Sequence, residues 1–130
     1  IKEHSRIEGE VDMPVLNQGT RFMIDTLKSR INQVVFGFGG NLASQDDTGA
    51  AQSAIVVTPI VRVLDDHSLS VEAKVPLSSS FNRPLKEVVI QYKNPSDATD
   101  TTALARYTYD SITKTNDNEI VFSAIIEVSS

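Results

Sequence analysis

At 130 residues the chain has the length of one domain, with enough surface to bury a core without staples. It contains no cysteine and no tryptophan, which excludes a disulfide scaffold and Cys-ligated zinc or iron–sulfur sites. The net charge is -5 and the twelve basic residues are scattered, so the basic stripe of a nucleic-acid binder is missing. No apolar run approaches the roughly 20 residues that cross a bilayer.

Residues 1–14 are polar and charged and predict an extended N-terminal arm, followed by a single domain over 15–130. The polar start at Ile1 rather than Met carries no signal-peptide pattern and is read as truncation, processing or a missing opening segment. Residues 15–31 predict an amphipathic helix of about four turns. Phe22, Met23, Leu27 and Ile31 recur at helical spacing and are expected to pack on a sheet, with Asn17 or Thr20 as the cap. Arg21, Lys28 and Arg30 face elsewhere.

After Ile31 the pattern changes to strand. Gln33 to Phe36 runs into Gly37-Phe38-Gly39-Gly40, whose glycines suit a bulge or a sharp exit from a sheet. A polar loop, Asn41 to Gln52, leads to one long run from Ala54 to Leu64. That run places Ile55, Val57, Val61 and Val63 on one face and Val56, Ile60 and Leu64 on the other, which predicts burial between layers. Pro59 cannot donate to a ladder, so it belongs at an edge or bulge. Asp65-Asp66-His67 is a turn, and Leu69, Val71, Ala73 and Val75 then alternate with polar residues to complete a hairpin.

Further strands are predicted at Glu87 to Tyr92, Ala103 to Tyr109 and Glu119 to Val128, with polar loops at 78–84 and 94–102. The last two are expected to pair antiparallel across the Thr113 to Asn118 corner, whose Asn and Asp tolerate positive φ. Ile120, Phe122, Ala124, Ile126 and Val128 share the buried face. One helix followed by about six strands, with no βαβ alternation, predicts a mainly β, α+β domain: an antiparallel β-sandwich with one N-terminal amphipathic helix.

Chemical motifs are sparse. Gly37-Phe38-Gly39-Gly40 lacks the last glycine of a dinucleotide fingerprint, is followed by no helix, and lacks the lysine of a phosphate loop. The aspartates at 46, 47, 65, 66, 97 and 100 match no calcium-loop spacing and suit turns instead. His4 and His67 have no nucleophile in triad order, and Ser68 and Asp66 are merely sequence neighbours of His67. No catalytic, cofactor or metal site is expected.

The order of features resembles the N-terminal attachment domains of bacteriophage tail-fibre and tail-collar proteins. In that family an opening helix precedes a strand ending in an FGxG signature, matched here by Phe36, Gly37 and Gly39. A strand with a glutamate before apolar residues follows, matched by Glu87 to Ile90. The ending is matched by Leu104 to Arg106, Tyr109, Ile112 and Lys114. Gln91 and Tyr92 stand where the family strand usually carries glycine, and no repetitive fibre shaft follows. The resemblance covers about residues 17 to 128.

The resemblance implies a non-enzymatic structural protein of the virion, in the tail, baseplate or collar, that anchors or connects a fibre. It implies assembly with copies of itself, a trimer by the family's habit, and with fibre or baseplate subunits, after passage through the host cytoplasm. A capsid cement or decoration protein and a soluble carbohydrate-binding β-sandwich are the alternatives. The latter lacks the aromatic platform usual in sugar clefts.

Overall fold

The computed structural model describes residues 16–128 and, as backbone only, 2–3 and 11–12. Lys2–Glu3 (β1) and Val11–Asp12 (β2) pair antiparallel with each other, Lys2 opposite Asp12. Where the sequence predicts an extended arm over 1–14, these four residues form a short ladder. The remainder of that arm, His4 included, lies outside the described residues.

The helix (α1) spans Asn17–Arg30, shorter by two residues at its start and one at its end than the sequence pattern suggests. Neither expected cap serves. Leu16 holds the cap position in an extended conformation with no side-chain bond, and the Thr20 hydroxyl donates to the Asn17 carbonyl inside the helix. Lys28 and Arg30 lie in the last turn, where cations complement the carbonyl end of the dipole. The buried stripe is Thr20, Ile24, Leu27 and Ile31, at i, i+4, i+7 and i+11.

This corrects two of the four expected packing residues. Phe22 is 73% exposed and Met23 42% exposed, whereas Ile24 is fully buried. Phe22 lies about 200° around the helix from Ile24, at roughly 100° per residue, so the two cannot share a face. The stripe through Phe22 continues as Thr26 and Ser29, both exposed, and offers no apolar partner to carry a core.

Seven strands follow: β3 Gln33–Gly37, β4 Ser53–Val57, β5 Ile60–Asp65, β6 Ser68–Val75, β7 Leu85–Lys93, β8 Thr101–Ile112 and β9 Ile120–Glu127. They form two antiparallel sheets, one of order β4-β3-β7-β8 and one of order β5-β6-β9. The fold is mainly β with one helix, a sandwich of the α+β class. Its core joins Val34, Phe36, Val88 and Ile90 of the first sheet to Leu69, Val71, Ala73 and Val75 of the second. Phe36 meets Phe122 edge to face across the layers, with ring centroids 6.4 Å apart. Helix α1 covers β5 and β6.

Two pairings differ from the sequence reading. The run Ala54 to Leu64 is two strands in different sheets, because Thr58-Pro59 turns the chain from one layer to the other. Proline has no N–H to carry a ladder through that corner. Ile55, Val57, Val61 and Val63 face the core, while Val56, Ile60 and Leu64 are about half exposed, so the run is buried on one face rather than both.

The last two strands likewise part company. β8 pairs with β7, and β9 pairs with β6, Val71 opposite Ala124. Their apolar faces meet across the layers, with Tyr107 and Phe122 ring centroids 5.6 Å apart, instead of lying side by side. Ile120, Phe122, Ala124, Ile126 and Val128 do share the core-facing side of the last segment. The expected β5–β6 hairpin is present, with Val61 opposite Val71.

Candidate functional site

The outer face of the four-stranded sheet carries a buried charge cluster. β3 and β7 pair Phe36 with Val88 and Gly37 with Glu87. Phe36 and Val88 point into the core, so strand alternation aims Glu87 at the opposite face. A register shift between Phe36 and Gly37 swings the chain out of the sheet there, as glycine-rich exits allow. The loop 38–52 then folds back over the Glu87 side chain.

Glu87 is fully buried. Its Oε2 accepts the Gly39 amide at 2.5 Å and the Gln52 amide at 3.0 Å. Its Oε1 accepts the Ala51 amide at 2.8 Å and Arg106 Nε at 3.0 Å. One carboxylate therefore ties both ends of the loop to the sheet. Burial alone would push this carboxyl up; the amides of Ala51 and Gln52, the Arg106 guanidinium and the Gly39 amide outweigh it, and the group is held below the ordinary glutamate value.

The glycines follow from this arrangement. A Cβ at Gly37 would lie 2.5 Å from the Gln52 carbonyl oxygen and 2.7 Å from Glu87 Oε2. A Cβ at Gly39 would collide with Glu87 Oε2 and lie 2.5 Å from the Ala51 Cβ. Gly37 and Gly39 thus leave open the space that the carboxylate occupies.

Arg106 completes the cluster from β8, with its side chain 4% exposed. Its Nη1 donates to the Asn41 carbonyl and to Asp47 Oδ2, each at 3.1 Å, and its Nη2 donates to Asn41 Oδ1 at 3.0 Å. Burial lowers the guanidinium pKa, but Glu87 and Asp47 more than offset it, and the net shift is upward. Asp47 is held low, first by the Ser44 amide and also by Arg106, against burial. The loop's middle is thereby fixed as well as its ends.

Lys114 forms a second clamp. It is fully buried, and its Nζ donates to the Ser79 carbonyl at 2.5 Å and to the Thr115 carbonyl. Its own carbonyl accepts the Phe81 amide at 3.1 Å. The loop 76–84 is joined to the first loop through Arg83, which donates to Gln52 Oε1 at 2.8 Å and lies 4.8 Å over the Phe38 ring.

Of the seven family-motif positions, Gly37, Gly39, Glu87 and Arg106 come together in one cluster. Phe36 lies beneath it in the core, and Lys114 holds a neighbouring loop. Leu104 is 41% exposed on β8 and joins neither. Asn41 and Gln52 belong to the cluster without having been singled out, and Asp47, weighed as a turn or calcium residue, joins it as a carboxylate partner of Arg106; no periodicity marks loop residues whose role depends on register.

Two of the other aspartates act in turns, and Asp66 pairs with Arg21 of the helix. Asp65 accepts the His67 amide and the Ser68 hydroxyl, each at 2.8 Å, and Asp97 accepts the Thr99 hydroxyl at 2.7 Å. Among the described residues no group of three or more His, Cys, Asp or Glu is arranged to hold a metal ion. No helix among them is long and apolar enough to cross a membrane.

On the opposite side of the four-stranded sheet, an open cleft of about 530 Å³ separates β8 from β9. Its walls are apolar or uncharged, Tyr107, Ile112 and Phe122 among them. Comparison with protein-family models, curated proteins and solved structures finds no match.

Proposed function

We propose that the chain is a non-enzymatic structural component of a bacteriophage virion, placed in the tail, baseplate or collar, where it anchors or connects a fibre. The observation that carries this reading is the convergence of Gly37, Gly39, Glu87 and Arg106 on one buried contact. The glycine pair, Glu87 and Arg106 come from three separate parts of the sequence and are joined there solely by their resemblance to the attachment-domain pattern. Their chemistry is that of a latch. A carboxylate with four donors and a guanidinium with several acceptors hold a long loop in one conformation, as a connecting part requires.

In this reading the protein works beside copies of itself, a trimer by the family's habit, and beside fibre or baseplate subunits. The experiment is immunogold electron microscopy of virions whose genome encodes the chain, with antibodies raised against it. Gold at the tail or neck is the expected result. Gold over the capsid surface favours a decoration protein, and unlabelled particles with the chain found free in the lysate overturn the virion role.

A further inference from the structure

The cleft between β8 and β9 is where the sandwich lacks a side wall. β8 is the last strand of one sheet and β9 the last of the other, and among the described residues neither has a neighbour on its outer edge. Each therefore presents a row of unpaired backbone donors and acceptors, which serves as a template for an added strand. Between them the cleft exposes Tyr107, Ile112 and Phe122, with Tyr107 39% and Ile112 38% exposed.

The exposed charges beside the lining residues are mainly acidic, Asp110 next to Tyr109 and Glu119 next to Ile120, with one exposed cation, Lys74, opposite Val121. From Thr101 to Val128 the acidic residues are Asp110, Asp117, Glu119 and Glu127, all exposed. Asp110 lies between the lining residues Tyr109 and Ile112, and Glu119 and Glu127 bracket β9. The basic residues of the same stretch are Arg106 and Lys114, and both are engaged elsewhere: Arg106 with Glu87 and Asp47, Lys114 with the carbonyls of Ser79 and Thr115. Lys74 lies opposite Val121, one strand in from the edge, as the nearest exposed cation of β6. The cleft is an uncharged trough between free strand edges, and Asp110 and Glu119 outnumber Lys74 beside it.

We infer that this cleft receives an extended apolar strand, flanked by lysine or arginine, from another protein chain. The free edges supply main-chain pairing, the trough takes alternate apolar side chains, and Asp110 and Glu119 select the flanking charges. A second copy of this chain is a poor occupant, because it presents the same acidic excess and carries the same net charge of -5. The inference goes beyond the virion reading and does not depend on it, since it rests on the cleft and its charges alone.

The test uses the intact chain and two synthetic peptides of alternating valine and threonine, one ending in lysines and one in glutamates. Affinity is measured by fluorescence anisotropy at low and high salt, and the contact is mapped by amide exchange. The lysine-flanked peptide is expected to bind roughly tenfold tighter at low salt, as a few exposed ion pairs allow, with the preference shrinking at high salt. It is expected to protect amides of β8 and β9. The combined variant Asp110→Lys with Glu119→Lys, both at exposed positions, should reverse the preference while leaving the circular dichroism unchanged. Equal affinity for the two peptides, binding by neither, or β8 and β9 amides already protected in a self-associated free chain each overturns the inference. None of these outcomes bears on where gold falls on a virion.

Discussion

Glu87 and Arg106 meet diagonally across two strands. The β7–β8 register sets Glu87 opposite Thr108 and Val89 opposite Arg106, yet Arg106 Nε reaches Glu87 Oε1 at 3.0 Å. The diagonal leaves the rest of the guanidinium free to reach Asn41 and Asp47, so a single cation serves both the sheet and the loop above it.

Removing one partner of this pair is expected to be severe. Arg106→Met leaves a buried carboxylate without its cation and should cost about 3–5 kcal/mol of stability. Urea unfolding of the wild type and of Arg106→Met, Glu87→Gln and the double variant gives the coupling. A loss below about 1 kcal/mol in Arg106→Met would mean that the three amides alone hold the carboxylate.

The latch also sets a pH limit. Glu87 is held below its ordinary value of 4.5, so its contribution is fully present above that pH and is lost as pH falls through the folded-state value. Thermal melts between neutral and strongly acidic pH should show stability declining in that window. Glu87→Gln should flatten the decline without abolishing it, since Asp47, Asp65 and Asp97 are also held low. An identical acid limb in Glu87→Gln would assign the effect to those aspartates.

The helix offers a paired test. Ile24→Ala removes a fully buried side chain and should cost about 2–5 kcal/mol. Phe22→Ala alters an exposed one and should stay within about 0.5 kcal/mol. Denaturant midpoints of the two variants measure this, and the reverse order would place Phe22 in the core.

Tyr109 governs the alkaline side. Its hydroxyl is buried with no hydrogen-bond partner, and burial together with the charge on Glu87 pushes its pKa from 10.0 up to about 12. A pKa raised in the folded state gives stability that is present below pH 10 and lost as pH climbs toward 12. Tyr109→Phe removes a polar group that has no bond to lose, so the melting temperature at neutral pH should stay equal or rise. The alkaline decline should become shallower. A clear loss of stability at neutral pH would show that the hydroxyl has a partner.

Alternation in the sequence disclosed faces more reliably than neighbours. Leu69, Val71, Ala73 and Val75 all point inward, as do the alternate residues of β9, because period two depends on the residue pattern alone. The partner of β9 was not legible: Thr113 to Asn118 has the composition of a tight turn, but the buried Lys114 uses that stretch to tie down Ser79 and Phe81 while the chain crosses layers. Pro59 was visible as a break in the ladder, and its role as a corner between sheets required the third dimension.

In the helix Leu27 and Ile31 pack as their spacing suggests, whereas Phe22 and Met23 give way to Thr20 and Ile24. Ile24 sits beside Met23 and Asp25, and the stripe Thr20, Ile24, Leu27, Ile31 competes with one through the bulkier Phe22. The latch left one direct trace. Glu87 heads the apolar run Val88-Val89-Ile90, and Arg106 interrupts Leu104-Ala105 and Tyr107, and charges set in strands of that kind need each other when buried. Which loop they would hold depended on register, which composition does not encode.

The corner at Thr58-Pro59 gives the molecule a spine. Two residues join the sheets on the β4–β5 flank, whereas seven residues, 113–119, join them on the β8–β9 flank. The layers are related like the covers of a book, joined closely at the binding and by a longer connection at the fore-edge. Tension applied along β4 or β5 passes through the two-residue corner directly into the other cover, whereas at the fore-edge it must first pass through the connection that Lys114 holds.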